Sequence, residues 1–307
     1  MQIYKKRDFG ALISDTFLFL KQHGKNYFKN YLVINGGLML LLLIIAVIGF
    51  RDIISQLYQS NMNNANQIFE QYLDQNFGIF ITICILISVV GLFVWLMNFA
   101  FPIIYLDKMG KEKRSDFTVS EIVEVLKKKM GRIFIFFLFS MFILLPMMMV
   151  VMGVTIASIL LIIGFLLIFI VYPTMVNIFN FNMFDYLVTD NGVFKSFSNA
   201  LSIQFSKKFW VYMATTLVMY IIIQVIVSVF AMVPGMMLGV QSTVSANTSD
   251  DFSVLMIITL ILYVLSMLVS IILSNAIYIC TGLMYFDART DLHREEYYKE
   301  IDEIGKL

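Results

Sequence analysis

The sequence predicts an all-α polytopic membrane protein with six transmembrane helices, arranged as three repeats of an amphipathic helix plus a transmembrane hairpin, with both termini inside. Three observations carry this prediction. The chain has 307 residues, of which 60% are hydrophobic and only 14% charged, with a mean hydropathy of +0.84. A soluble domain is about a quarter charged, so two soluble domains of this total length would lack the polar surface they need. The apolar residues also fall in runs, and one of them, residues 133–184, spans 52 positions without a charge. Finally, nearly all the basic residues lie on one side of the spans these runs define. Disorder is excluded by the same composition, since only 4 prolines interrupt a chain dominated by Phe, Ile, Leu, Val and Met.

A spanning helix needs about 20 apolar residues. The first run that qualifies is 31–50. It is preceded by about 30 polar residues that include Asp8 and Asp15, which argues for a retained anchor and against a cleaved signal peptide. An Asn- and Gln-rich segment, 51–76, reads as a loop. The second span, 77–106, is long enough to tilt, to kink at Pro102 or to project beyond the bilayer. The 52-residue run divides into two spans, 133–151 and 155–184, with the turn expected at Pro146 and residues 147–153. The fifth, 209–239, should break at Pro234-Gly235, and the sixth is 252–286.

Six spans put both termini on one side. Placing them inside assigns 21 of the 22 Lys and Arg residues to cytoplasmic segments and leaves only Arg51 outside. Such a bias indicates a multi-pass protein of a bacterial cytoplasmic (inner) membrane, both termini cytoplasmic. No span carries a charge at its centre, which argues against a pump or a proton-coupled carrier.

The cytoplasmic segments recur in form. Phe9, Leu12, Ile13, Phe17 and Leu20 make one apolar stripe at helical spacing. Val119, Ile122, Val123, Leu126 and Met130 make a second, and Phe194, Phe197, Leu201 and Phe205 a third. The second opens on the capping box Thr118-x-x-Glu121 and the third after Asp190-Asn191-Gly192. Each leads through a basic corner into an outward span: 21–25, 127–132, and Lys207-Lys208. Each returning span ends in aromatic or apolar residues and an aspartate: Tyr105-Leu106-Asp107, Met183-Phe184-Asp185 and Tyr285-Phe286-Asp287. The reading is therefore a single membrane domain over 1–307 with repeats at about 8–106, 116–185 and 190–287 and an acidic cytoplasmic tail, 288–307. Equal topology of the repeats implies an axis along the membrane normal. In the tail, Tyr297, Ile301 and Ile304 are spaced for a short amphipathic helix that would dock on the basic corners.

The segment 187–205, leading into Lys207-Lys208-Phe209-Trp210, resembles a recurring segment of six-span bacterial membrane proteins grouped with the membrane domain of glycerophosphoryl diester phosphodiesterase. The resemblance implies a membrane domain of the same architecture. It does not bring the phosphodiesterase chemistry with it, because that belongs to a separate soluble barrel domain.

Candidate sites are few. His23 and His293 both lie in basic juxtamembrane segments, and there is no His-Glu-x-x-His, Walker, dinucleotide-glycine or Cys-x-x-Cys pattern. Neither catalysis nor a cofactor is expected. Cys84 and Cys280 fall at different depths, so no disulfide is expected. Within the spans, Asn98, Asn177, Asn180 and Asn275 are candidates to line a polar cavity near the pseudo-axis. The alternative is hydrogen bonding between helices. Lys25, Lys127, Lys128, Lys129, Arg132, Lys207 and Lys208 are candidate contacts for anionic lipids of the inner leaflet. Nucleic acid is not expected, since acidic residues are interleaved with these clusters. Methionines at 147–149 and 236–237 offer soft surfaces for a partner. The expected function is a non-catalytic scaffold or accessory subunit of a membrane complex with an unidentified protein partner. A lipid- or small-amphiphile-binding transport protein is the alternative.

Overall fold

A computed structural model describes residues 2–59, 65–161, 163–244 and 250–304. Its elements are α1 (Phe9–Gln59), α2 (Ala65–Glu112), α3 (Val119–Phe139), a π turn (Ser140–Leu144), α4 (Leu145–Ala157), a 3-10 turn (Ser158–Leu161), α5 (Ile163–Val188), α6 (Val193–Gln204), α7 (Phe209–Val244) and α8 (Asp250–Ile304). Among the described residues there is no strand. Six helices are long and apolar enough to cross a membrane, and much of their apolar surface is uncovered by protein. Leu160, Val154, Phe142 and Ile48 are all more than two-thirds exposed. Side chains of this kind have no stable place in water, so the chain is a multi-pass membrane protein.

Several elements depart from the sequence reading. The expected loop at 51–76 is mostly helix: α1 runs to Gln59 and α2 begins at Ala65. Asn and Gln are poor span residues but acceptable helix residues, so polarity marks the end of a span without ending the helix. The kink in α2 falls at Asn76 (φ −128°, ψ 21°), and the helix runs through Pro102. It ends at Lys113, which takes the left-handed conformation (φ 53°) and donates its N–H to the Met109 carbonyl.

The turn between the third and fourth spans is not at Pro146. The helix passes that proline because residues 140–144 widen into a π turn, with Leu145 N–H reaching the Ser140 carbonyl, which relieves the clash a proline makes with the preceding turn. The chain instead reverses after Ser158–Leu161, and Gly164 makes this possible. A Cβ there would lie 2.6 Å from Ser158 Oγ and closer still to the Ile159 nitrogen. Gly153, inside the expected turn, has open space around it. Pro234-Gly235 does not break α7 either, as the helix continues to Val244.

Two of the three basic corners are not corners. Both α1 and α3 run unbroken through 21–25 and 127–132. Lys and Arg favour helix, and a single glycine costs only about 1 kcal/mol, so nothing in these clusters stops one. The third does break. The Phe205 N–H returns to the Leu201 carbonyl, Phe205 leaves helical geometry (φ −90°, ψ 21°), and α7 starts at Phe209. The capping box forms as expected: Thr118 accepts from the Glu121 N–H and Glu121 accepts from the Thr118 N–H at 2.7 Å. α6 starts after Gly192, also as expected.

Contacts divide the chain into two compact units. In the first (Met1–Ile34, Asn98–Ile223, Ser274–Leu307) the three return-helix signatures come together. Gly282 of α8 lies against Leu106 of α2 and Phe184 of α5, with room for no Cβ: one would be 2.5 Å from Leu106 Cδ1 and 2.6 Å from Phe184 Cζ. Phe184 stacks obliquely on Tyr285 at 5.5 Å, and all nine signature residues are buried. In the second unit (Asn35–Met97, Gln224–Leu273), α1 and α2 pack through Gly49 against Ile83 and through Phe50 against Phe80, which also meets Phe69 of its own helix across the kink. The side chains of the tail, from position 291 onward, lie outside the described residues, and with them the expected docking of Tyr297, Ile301 and Ile304, although α8 itself continues to Ile304.

Candidate functional site

Two polar clusters are buried in the first unit. The upper one is built on Tyr27 and Tyr31, one helical turn apart on α1, with parallel rings 6.5 Å apart. Phe101 packs against both. The Tyr31 hydroxyl donates to Asn98 Oδ1 at 2.6 Å, and the Tyr27 hydroxyl donates to Asn275 Oδ1 at 2.7 Å. Asn275 Nδ2 then donates to Asn98 Oδ1 at 3.2 Å, closing a chain of four side chains across α1, α2 and α8. The sequence candidates Asn98 and Asn275 are thus brought together. Asn177 and Asn180 are not part of this chain. Asn177 accepts from Thr216 of α7, and Asn180 donates to the Val176 carbonyl of its own helix. All four are buried. Gln224, the central amide of the fifth span, is exposed.

The second cluster sits at the end of the helices that carries the basic residues. Asp287, fully buried, accepts from the Arg7 N–H at 2.7 Å, the Tyr212 hydroxyl at 2.6 Å and Lys208 Nζ at 2.7 and 2.9 Å. Asp185, equally buried, accepts from Asn191, Asn199, Tyr285 and Arg289. Asp107 pairs with Lys111 at 2.9 Å and lies 3.7 Å from Lys129. A buried carboxylate needs partners to replace water, and Asp287 and Asp185 each draw on several donors, whereas Asp107 takes one hydrogen bond, from Lys111, with Lys129 close by. Arg7 itself is buried, bonded to Asp15 and to the carbonyls of Gln2, Ile3 and Lys5, so it holds the N-terminal segment in a loop over the helix ends.

The basic candidates divide by use. Lys129 donates to the Leu187 carbonyl, and Arg132 donates to the carbonyls of Tyr186, Thr189 and Asn191 while lying 4.1 Å over the Tyr186 ring. These two cap the C-terminus of α5. Lys208 serves Asp287 and the Arg7 carbonyl. Lys25, Lys127 and Lys207 are exposed, and Lys128 is exposed while paired with Glu124 at 2.7 Å. In the capping box, Glu121 is held down to about 2, first by the Thr118 N–H and then by Arg114. Sequence reasoning named the three aspartates as markers of a repeat but not as the centres of ion pairs. The signal was present: a charge placed where an apolar run ends must find a partner nearby. Tyr27, Tyr31, Tyr212 and Arg7 were missed, because which helix a hydroxyl or guanidinium faces is not written in spacing.

Chemically, the upper cluster is a set of neutral amides and phenols satisfied largely by one another, and the lower one is a set of neutralised acids. Cys84 and Cys280 are both free thiols, Cys280 buried. Among the described residues no three His, Cys, Asp or Glu side chains come close enough to hold a metal ion. Comparison of the chain with protein-family models, with curated proteins and with solved structures finds no match.

Proposed function

We propose that this chain is a non-catalytic scaffold or accessory subunit of a larger membrane complex, resident in a bacterial cytoplasmic membrane with both termini in the cytoplasm. The observation that carries this reading is the use made of the polar span residues. Asn98 and Asn275, the best candidates for a solute-binding cavity, bind each other and two tyrosines across three helices, at buried positions where hydrogen bonds hold helices in register. The exposed methionines Met147, Met149 and Met236 supply an adaptable surface for a protein partner. The distribution of Lys and Arg supports the orientation, and the three buried aspartates, each paired with a basic side chain from outside its own signature, support a pseudo-threefold plan.

Mild-detergent purification from the native membrane, followed by mass spectrometry of the proteins and lipids retained, tests this. A stoichiometric protein partner is expected. A lone chain carrying one enriched lipid class would replace this reading with the second one, a lipid- or small-amphiphile-binding transport protein. That second reading is favoured by one specific observation: Asn182 and Gln204 are fully buried, and neither their amide nitrogens nor their oxygens have a protein partner.

A further inference from the structure

Of the three amphipathic segments, only α6 stands as a separate helix, and it packs the wrong way round for a helix in water. Its buried positions are Ser196, Ala200 and Gln204, all fully covered, while Phe194 and Phe205 are 66% and 62% exposed. At about 100° per residue the helix has three faces. Ser196, Ala200 and Gln204 form the face against protein. Phe194, Phe197, Leu201 and Phe205 form a flank beside it. Lys195, Ser198 and Ser202 point away from both. A helix surrounded by water on its free sides would bury the phenylalanines and expose the serine and glutamine. The apolar flank continues directly onto the span surface: Phe139 of α3 packs on Phe194 at 5.1 Å, and its neighbours Phe134 and Ile135 are half exposed. At the other end Phe205 stacks on Phe209 at 5.6 Å, and Phe209 meets Trp210, itself 63% exposed. Exposed Lys195 and Lys207 stand at opposite ends of this strip.

We infer that α6 and the 205–210 corner form a docking surface for anionic lipids. The helix lies flat at the boundary of headgroups and acyl chains, its phenylalanines in the chains and Lys195 and Lys207 on the headgroup charges. Aromatic residues at this depth and lysines beside them match the physics of the interface. The continuity with the lipid-facing spans and the positive charge at both ends select a negatively charged bilayer as the occupant. The inference rests on the membrane setting above but not on the scaffold role: loss of a protein partner in the purification would leave it standing.

The chain holds only two tryptophans, so Trp95→Phe leaves Trp210 as its sole reporter. This variant is reconstituted in mixed phosphatidylcholine and phosphatidylglycerol vesicles, with bromine placed on one lipid or the other and either high or low on the acyl chain. Shallow bromine should quench Trp210 more than deep bromine. At equal mole fraction, brominated phosphatidylglycerol should quench about twice as strongly as brominated phosphatidylcholine. Lys195→Gln with Lys207→Gln, both at exposed positions, should remove the difference and keep the depth profile. Equal quenching by the two lipids in the parent overturns the preference for anionic lipid. Absence of quenching by either overturns the lipid contact altogether, and a cross-linked dimer would then give this face to a second copy of the chain.

Discussion

Lys208 and Asp287 are joined through both carboxylate oxygens, at 2.9 and 2.7 Å, and the same carboxylate receives the Tyr212 hydroxyl and the Arg7 N–H. Four hydrogen bonds from three residues, Arg7 at the N-terminal end and Lys208 and Tyr212 one turn apart, converge on one fully buried acid. Asp287→Asn removes the charge and leaves the lysine unpaired, which should cost about 3–5 kcal/mol. Lys208→Met should cost at least as much, because it leaves the fully buried carboxylate to the Tyr212 hydroxyl and the Arg7 N–H alone, whereas the lysine left by Asp287→Asn is one-third exposed and can turn to water. In a double-mutant cycle followed by thermal unfolding in detergent, the two losses should fall short of additive; strict additivity would mean that the pair is not coupled.

The reversal at Ser158–Leu161 makes Gly164 the least replaceable glycine of the third and fourth spans. Gly164→Ala forces the Ser158–Ile159 backbone to move and should destabilise by about 1–3 kcal/mol. Gly153→Ala, by contrast, adds a methyl group in open space within a helix and should be neutral or stabilising by up to about 1 kcal/mol. Side-by-side melting curves decide the matter. A greater loss at Gly153 would put the turn back near Pro146.

The four-residue amide and phenol chain makes a graded prediction. Asn98→Leu strips the acceptor used by both Tyr31 and Asn275 and should cost about 0.6–2 kcal/mol for each bond lost. Tyr31→Phe removes one bond only and should lie at the low end. If Asn98→Leu and Tyr31→Phe unfold at the same temperature, the bond between the two asparagines contributes nothing measurable.

Glu121 gives the start of α3 a dependence on acid. Its carboxyl is lowered from 4.5 to about 2 by the Thr118 N–H and, after it, by Arg114. A lowered carboxyl contributes stability above its unfolded value, and that contribution fades as the pH falls from about 4.5 toward 2. Amide exchange at the first turn of α3 should therefore quicken across this window, and Glu121→Gln should flatten the change. A first turn whose protection is unaltered by acid in the parent chain would show that the capping box is not formed in solution.

The sequence read some features well because they depend on neighbours in the chain. The Thr118–Glu121 box spans four residues, and the Gly192 start follows from the turn before it. The turn at Pro146 and the break at Pro234 were misread for one shared reason. Proline weakens a helix, but a π turn or adjacent helices can supply what it removes, and in an apolar medium the backbone has every incentive to stay bonded. The first two basic corners failed differently, while the third, at Lys207-Lys208, does part α6 from α7: charge marks where a helix leaves the bilayer, and does not by itself make it bend. Among the candidate asparagines, spacing could nominate four, but only the approach of α1, α2 and α8 selects Asn98 and Asn275 as a pair.

By itself the sequence determined that the chain lives in lipid, how many times it is apolar enough to cross, and where the charges must stay outside the hydrocarbon. Each of these follows from transfer free energies that sum along the chain and need no partner. The tertiary structure alone decided which glycine allows the chain to reverse, which amides and acids find each other, and that α6 turns its serine and glutamine inward and its phenylalanines out. Those outcomes depend on close approach between segments far apart in sequence, and contact energies of that kind are properties of pairs, not of residues.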